Sequence, residues 1–300
     1  MEFNIMRNAI IRAAFGVAMA SMAPLGHTHA IAGDRTFPVT LAVDDPGVGD
    51  ELNFQFGHIR LPNDDGDLAT NNSLSLNYAK TITSNLAISV GDNYATQHVS
   101  GNPTVKGMDN FKLGIKYLAY VNPVHEFMLS IGVDSNIGGT GSKAIGTSYS
   151  AYTPTIYAGK GFGDLPEALR WLKPFAITGT IGQQYATNRS VPNALNWGVT
   201  LQYSLPYLQY SVKNIGLPAP FSNMIPVVEL AMSTCTSGNC SGRTTGTINP
   251  GVIWESRRGQ IGVEAQIPAN RASGNGVGVL VQTHFFFDDI FSQLIGKPVF

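Results

Sequence analysis

The chain has 300 residues, of which only 13% are charged, with a formal charge of −1, 33 glycines and 10% aromatics. About a quarter of the residues are charged in an ordinary soluble domain, so this chain is poorly suited to a soluble surface, and its near-neutral balance offers no basic face to a nucleic acid. Beyond the first thirty residues no apolar run approaches the ~20 residues of a spanning helix, which leaves a chain whose apolar residues are spread by alternation.

The N-terminus reads as an export signal. Arg7 and Arg12 precede the short apolar stretch AAFGVAMASMAPL, and AIA at Ala30 to Ala32 supplies a small-residue cleavage site. A buried amphipathic first helix is the alternative, and it leaves the flanking charges and the A-x-A site as coincidences. Cleavage makes residues 1–32 the signal peptide and 33–300 a single mature domain beginning near Gly33. Losing Glu2, Arg7 and Arg12 takes one acid from 20 and two bases from 19, so the mature charge is −2.

From Glu51 onward, segments of roughly ten residues alternate with period two between Gly, Asn, Asp, Ser and Pro punctuation. ELNFQFGH sets Leu52, Phe54 and Phe56 against Asn53, Gln55 and Gly57. NSLSLNYAK sets Leu74, Leu76 and Tyr78 against Ser73, Ser75 and Asn77, and NLAISVG sets Leu86, Ile88 and Val90 against Ala87, Ser89 and Gly91. NFKLGIKYLAY places Phe111, Leu113, Ile115 and Tyr117 opposite Lys112, Gly114 and Lys116. EFMLSIGVD, YTPTIYAGK and PFAITGTIGQQ continue the pattern, the middle one less regularly. LNWGVTLQYS is the cleanest, with Leu195, Trp197, Val199, Leu201 and Tyr203 opposite Asn196, Gly198, Thr200, Gln202 and Ser204. PVVELAMS, GTINPGVIW, GQIGVEAQIP and GVGVLVQTHF complete twelve strands. In the last, Leu280 alone breaks the alternation on the polar side.

The polar faces decide between a sandwich and a barrel. A soluble sandwich shows Lys, Glu and Thr outward, whereas here the polar face is mostly Gly, Ser, Thr, Asn and Gln. Small polar residues suit a crowded, wet lumen, and the apolar face then meets lipid. The expected fold is therefore all-β, a transmembrane antiparallel up-and-down barrel of about twelve strands in the outer membrane, with both termini periplasmic.

Loop lengths follow the parity this topology demands. TITSN, VNPVH and ESRRG are short and fall on the periplasmic side, while the loops containing PNDDGD, TQHVSGNPTVKG, SNIGGTGSKAIG, ATNRSVPN, TCTSGNCSGR and NRASGN fall outside. Two periplasmic connections are long. One of them, GDLPEALRWLKP, reads as a short helix, with Asp164 and Glu167 at capping-box spacing and Pro166 in its first turn. Trp171 and Trp254 fall at inner strand ends and Trp197 near an outer one, as interfacial aromatics do.

Chemistry-bearing motifs are sparse. HEFML at His125 lacks the second His of a zinc-protease motif, GKGFG at Gly159 has neither the spacing nor the helix of a phosphate loop, and no G-x-S-x-G is present. The expectation is a protein that is no enzyme, with no catalytic residue, cofactor or metal. A barrel acting on lipids would have to use His284, placed on a strand's polar face. Cys235 and Cys240 in CTSGNC read as a loop disulfide in an exported chain; two thiols alone give too few ligands for structural zinc.

The lumen is where the remaining polar groups gather. Lys112 and Lys116, Glu229 and Glu264, with Gln55, Gln202 and Gln266, are expected to line a pore. Opposed charges across a narrow pore select by charge and diameter, or they bond to one another and plug it; about twelve strands are wide enough for either.

Several stretches, GMDNFKLGIKYL, GLPAPFSNMIPVVEL, TTGTINPGVIW, GVEAQIPANRASGNGVGVL and FFFDDIF, resemble the outer-membrane channel proteins of Gram-negative bacteria grouped with the meta-pathway of phenol degradation. VTLAVDDPGVGDELNF is similar to that group's leading segment, in which an acidic DDP precedes the first strand. The resemblance spans roughly residues 35 to 300. It implies a signal-bearing barrel transporting small molecules, aromatic or hydrophobic compounds among them, and carries over no substrate-binding residue. Membrane lipid, the barrel assembly machinery and small-molecule solutes are the expected partners. A structural or adhesive barrel with a filled lumen is the alternative. Past Phe285 and Phe287 the chain runs on through DDIFSQLIGKPVF, as either a free periplasmic tail or one folded back on the barrel.

Overall fold

The computed structural model describes residues 30–62, 68–291 and 296–300. The export-signal reading for residues 1–29, and residues 63–67 of the PNDDGD loop, lie outside the described residues.

Two short strands come first, β1 (Ala30–Ala32) and β2 (Arg35–Phe37), paired as a hairpin. Then follow β3 (Glu51–Pro62), β4 (Leu68–Thr83), β5 (Leu86–Val99), β6 (Val105–Met108), β7 (Lys112–Asn122), β8 (Phe127–Asn136), β9 (Ala151–Gly161) and β10 (Phe175–Ala186). The last five are β11 (Ala194–Tyr203), β12 (Met224–Cys235), β13 (Thr244–Ser256), β14 (Gly259–Pro268) and β15 (Gly278–Phe286). The large sheet has 13 strands; β6 pairs with β5 alone, the other 12 form the wall, and the β15–β3 and β4–β5 pairings make it a closed antiparallel barrel. All twelve alternating segments of the sequence are wall strands, because each has one face for lipid and one for the lumen.

The outer face is apolar over its middle. Leu74, Ile88, Ile115, Ile131, Ile156, Ile181, Val199, Val228 and Ile261 are all exposed on it, a belt that only hydrocarbon solvates well. In β7 the alternation fails at Leu118-Ala119-Tyr120, and the pairing register with β8 slips there. That bulge lets Tyr117 and Tyr120 both face outward, as a two-against-one count requires.

We call the end where β3 begins and β15 finishes the base, and the other end the rim. At the base GDLPEALRWLKP makes a 3-10 turn over Glu167–Leu172, and the expected capping box is absent: Pro166 occupies the cap with no side-chain bond. Asp164 is engaged elsewhere, by Lys160 at 2.9 Å and His125 at 3.0 Å. The Lys160 hydrogen bond in particular holds its carboxyl below the ordinary range. At the rim Cys235 and Cys240 are bonded, with Cα atoms 5.8 Å apart.

The C-terminal residues fold back onto the base. The Val299 and Phe300 amides donate to Thr81 and Ile82 carbonyls at 3.2 and 2.9 Å, and Lys80 Nζ donates to the Lys297 carbonyl at 2.6 Å. Beneath them Lys80 pairs with buried Asp50 at 2.7 Å. Burial, and then Asp50, push the Asp288 carboxyl up to about 8.

A lumen occupied by the N-terminal segment

Residues 30–50 enter the barrel from the base and run inside it. Arg35, fully buried, anchors them: Nε meets Glu126 at 3.2 Å, Nη1 donates to the Pro174 carbonyl at 3.0 Å, and the guanidinium lies 3.8 Å from the centre of the Tyr207 ring. The Tyr207 hydroxyl donates to Glu126 at 2.7 Å, so one ion pair ties the hairpin to three base connections. Phe37, with Ala30, Ala32, Met128 and Ala176, makes a small apolar core.

Residues 38–50 have no repeating backbone pairing, and wall side chains satisfy them instead. The Glu229 carboxylate accepts the consecutive amides of Leu41 (2.7 Å), Ala42 (3.0 Å) and Val43 (2.5 Å), the way a backbone nest holds an anion. Asn249, the cross-strand neighbour of Glu229, donates its Nδ2 to Glu264 at 3.3 Å. Gln55 Nε2 donates to the Leu41 carbonyl at 2.6 Å, Gln260 accepts the Val39 amide at 3.1 Å, and Ser130 Oγ donates to the Pro46 carbonyl. Lys116 Nζ meets Asp44 at 2.7 Å and the Asp45 carbonyl at 3.1 Å.

Apolar contacts complete the seat. Leu41 packs with Ile225, Val227, Ile253 and Leu280, all facing inward. Leu280, out of step with the polar face of its strand, is thus the partner of Leu41. Glycine makes the approach possible: a Cβ on Gly262 would stand 2.5 Å from Leu41 Cδ1, and one on Gly198 2.6 Å from Val43 Cγ2.

The residues expected to line a pore are placed differently from one another. Lys116, Glu229 and Gln55 hold the segment, and Glu264 is buried against Asn249. Lys116 and Glu229, expected to set opposed charges across a pore or to bond to one another, each bond to the segment that lies between them. Gln202 is buried with neither amide atom partnered in the protein. Lys112 is exposed and Gln266 half-buried, both toward the rim. Trp197 and Trp254 sit on outward positions, Trp197 donating to Thr234 at 3.2 Å, and Trp171 is exposed in the base turn. His284 faces the lumen, 2.7 Å from Glu51, and not the lipid.

Between the segment and the wall of β3, β4, β5, β7 and β8 lies a cavity of ≈ 270 Å³. Asp44, Asp45, Glu51, Lys116, Asp134 and His284 face it, with Asn53, Asn77 and Tyr157. Burial pushes the Asp45 carboxyl up to about 7, against the pull of Lys116 and with Asp44 and Glu51 adding to the rise. Asp44, Asp45 and Asp134 were not among the expected pore residues; the DDP stretch was the available signal for the first two.

No family model matches the chain, and no curated protein of similar sequence was found. Among solved structures the chain is similar to an outer membrane channel from Pseudomonas putida F1, with 13% identity and a TM-score of 0.52 over 80% of this chain and 96% of that one. It is also similar to the NanC porin (8% identity, TM-score 0.49, 78% and 98% covered) and to the translocator domain of the autotransporter NalP from Neisseria meningitidis (9%, 0.47, 79% and 88%). At these identities the likeness is one of fold.

Proposed function

We propose that this chain is an outer-membrane channel for passive passage of small molecules, narrowed by its own N-terminal segment. The observation that carries the reading is a closed barrel with an apolar belt outside and a polar lumen that the segment fills on one side and leaves wet on the other. The fold shared with the Pseudomonas channel supports it. In this reading residues 1–32 are the export signal, so β1 leaves with it and Arg35 and Phe37 seat the mature segment; base and tail are periplasmic, and the partners are membrane lipid, the barrel assembly machinery and the solute. The resemblance to the phenol meta-pathway group, which rests on the quoted motifs, extends the solutes to aromatic and hydrophobic compounds.

The test is conductance of the refolded chain in planar bilayers, with solute-driven swelling of liposomes. The expected result is a small conductance for the full chain and one several-fold larger after deletion of residues 36–46, which removes the segment but no wall strand. Silence from both sinks the channel reading. A conductance confined to the deletion favours the second reading, a filled structural barrel, which the Glu229 seat for Leu41–Val43 supports.

A further inference from the structure

The wet side of the lumen has a chemical character of its own. Four carboxyls face it, Asp44 and Asp45 from the segment and Glu51 and Asp134 from the wall, against a single lysine, Lys116. That lysine is already bound at 2.7 Å by Asp44. Asn53 and His284 also line the cavity, His284 almost wholly buried. His284 Nε2 stands 2.7 Å from the Glu51 carboxylate. Asp134 is exposed to the cavity and takes the Tyr157 hydroxyl at 3.0 Å, which leaves its other oxygen for a ligand.

The passage is thus rich in acceptors and poor in donors. A solute moving through it exchanges water mainly for carboxylate and amide oxygens, which suits positive charge and N–H donors and repels anions in a narrow, low-dielectric gap. Lys112, the other luminal lysine of β7, stands nearer the rim, opposite Gly91 and Asn136 in register, and does not line the cavity.

We infer that the gap between the N-terminal segment and the β3–β8 wall is the permeation path, and that it prefers small organic cations, amines and guanidinium compounds, over anions. This rests on the channel reading and names its substrate class. Asp134 and Asp44 set the preference, one from each side of the gap.

Reversal potentials in a KCl gradient across a planar bilayer test it, together with liposome swelling in arginine against glutamate. Expected are a K⁺ preference over Cl⁻ and faster swelling in arginine. Asp134→Asn should lower the K⁺ over Cl⁻ permeability ratio by about half, and Asp134→Lys should bring it to or below unity. Asp44→Asn, which also frees Lys116, should act in the same direction; should it prevent refolding, the exposed Asp134 variants suffice. Conductance without cation preference, or a preference that both Asp134 variants leave unchanged, overturns the inference while the channel stands. Absence of any conductance overturns both.

Discussion

The two sides of the lumen are made of the same residue types and end in different states. On β11, β12 and β13, Thr200, Glu229 and Asn249 are completely buried beneath the segment, whereas Asn77 on β4 and Asp134 on β8 are exposed at corresponding inward positions. Serine, threonine and asparagine line both, so composition does not set the difference. What sets it is the combination found on the sealed side: inward Ile225, Val227, Ile253 and Leu280, glycines at the points of closest approach, and a carboxylate for three amides. The sealed side is also imperfectly satisfied. Thr178, Thr200, Gln202 and Asn249 all keep buried polar atoms without partners in the protein, at ~1–3 kcal/mol each where water does not reach them. A segment seated against such a wall is held by a few strong points, and those points are where the contrast can be broken.

The strongest is the base anchor. Glu126→Ala leaves Arg35 buried without its ion partner, a change worth ~3–5 kcal/mol, and it also removes the acceptor of the Tyr207 hydroxyl. The segment is expected to leave its seat, which trypsin reports as accelerated cleavage after Arg35 in the refolded barrel. Cleavage at the wild-type rate would mean that the segment is held from the lumen and not from the base.

A matched pair of glycine substitutions sharpens the comparison itself. Gly262→Val on the sealed side drives its Cβ into Leu41, at an overpacking cost of ~1–3 kcal/mol. Gly114→Ala on the wet side meets only Ser89 Oγ and Asp134 Oδ1 as its nearest atoms, the ends of side chains that can turn aside. Single-channel records should show larger, noisier openings for Gly262→Val and near-normal ones for Gly114→Ala. Equal effects would mean that the segment touches both walls in the membrane.

The wall was legible in the sequence and the segment was not, for a physical reason. A strand between lipid and water must alternate, and the twelve alternating stretches from Glu51 onward became the twelve wall strands. Residues 38–50 lie between one polar wall and a wet gap, so nothing imposes a period on VTLAVDDPGVGD. Their bonds go to side chains more than a hundred residues away, such as Glu229 and Gln260, and no local pattern announces those. The trace they left was on the wall: Leu280 out of phase in β15, and apolar Met128, Val227 and Ile253 at inward positions. Each of these is an apolar residue on a face that water alone would not favour. The capping-box spacing at Asp164 misled because Lys160 and His125 offer that carboxylate charged and hydrogen-bonding partners that a short turn cannot match.

A smaller effect is expected from pH. Burial pushes the Asp45 carboxyl up to about 7, with Lys116 opposing and Asp44 and Glu51 adding to the rise, while Asp134 and His284 face the same gap. A carboxyl raised in the folded state contributes stability that is complete below its unfolded value near 4 and is lost as pH rises through about 7. The segment should therefore sit more firmly at pH ~6 than at ~8, and the charge gained on raising the pH should strengthen cation preference. Conductance and reversal potential measured across that range check both, and Asp45→Asn should flatten the two profiles. A wild-type protein with flat profiles would place Asp45 outside the path.

The smallest effect belongs to the tail, which lies outside the lumen altogether. Deleting residues 296–300 removes the Val299 and Phe300 amide bonds to β4 and the carbonyl that Lys80 reaches, while leaving the Lys80 pair with Asp50 in place. Each lost bond is worth ~0.5–1.5 kcal/mol, and Phe300 is 89% exposed, so its ring adds little. The truncated chain is expected to refold, to unfold at a slightly lower temperature, and to conduct as the full chain does, since neither wall of the lumen is touched. A change in conductance would show that the tail's hold on Lys80 is passed through Asp50 to the start of β3, and so to Glu51 and the wet side of the lumen.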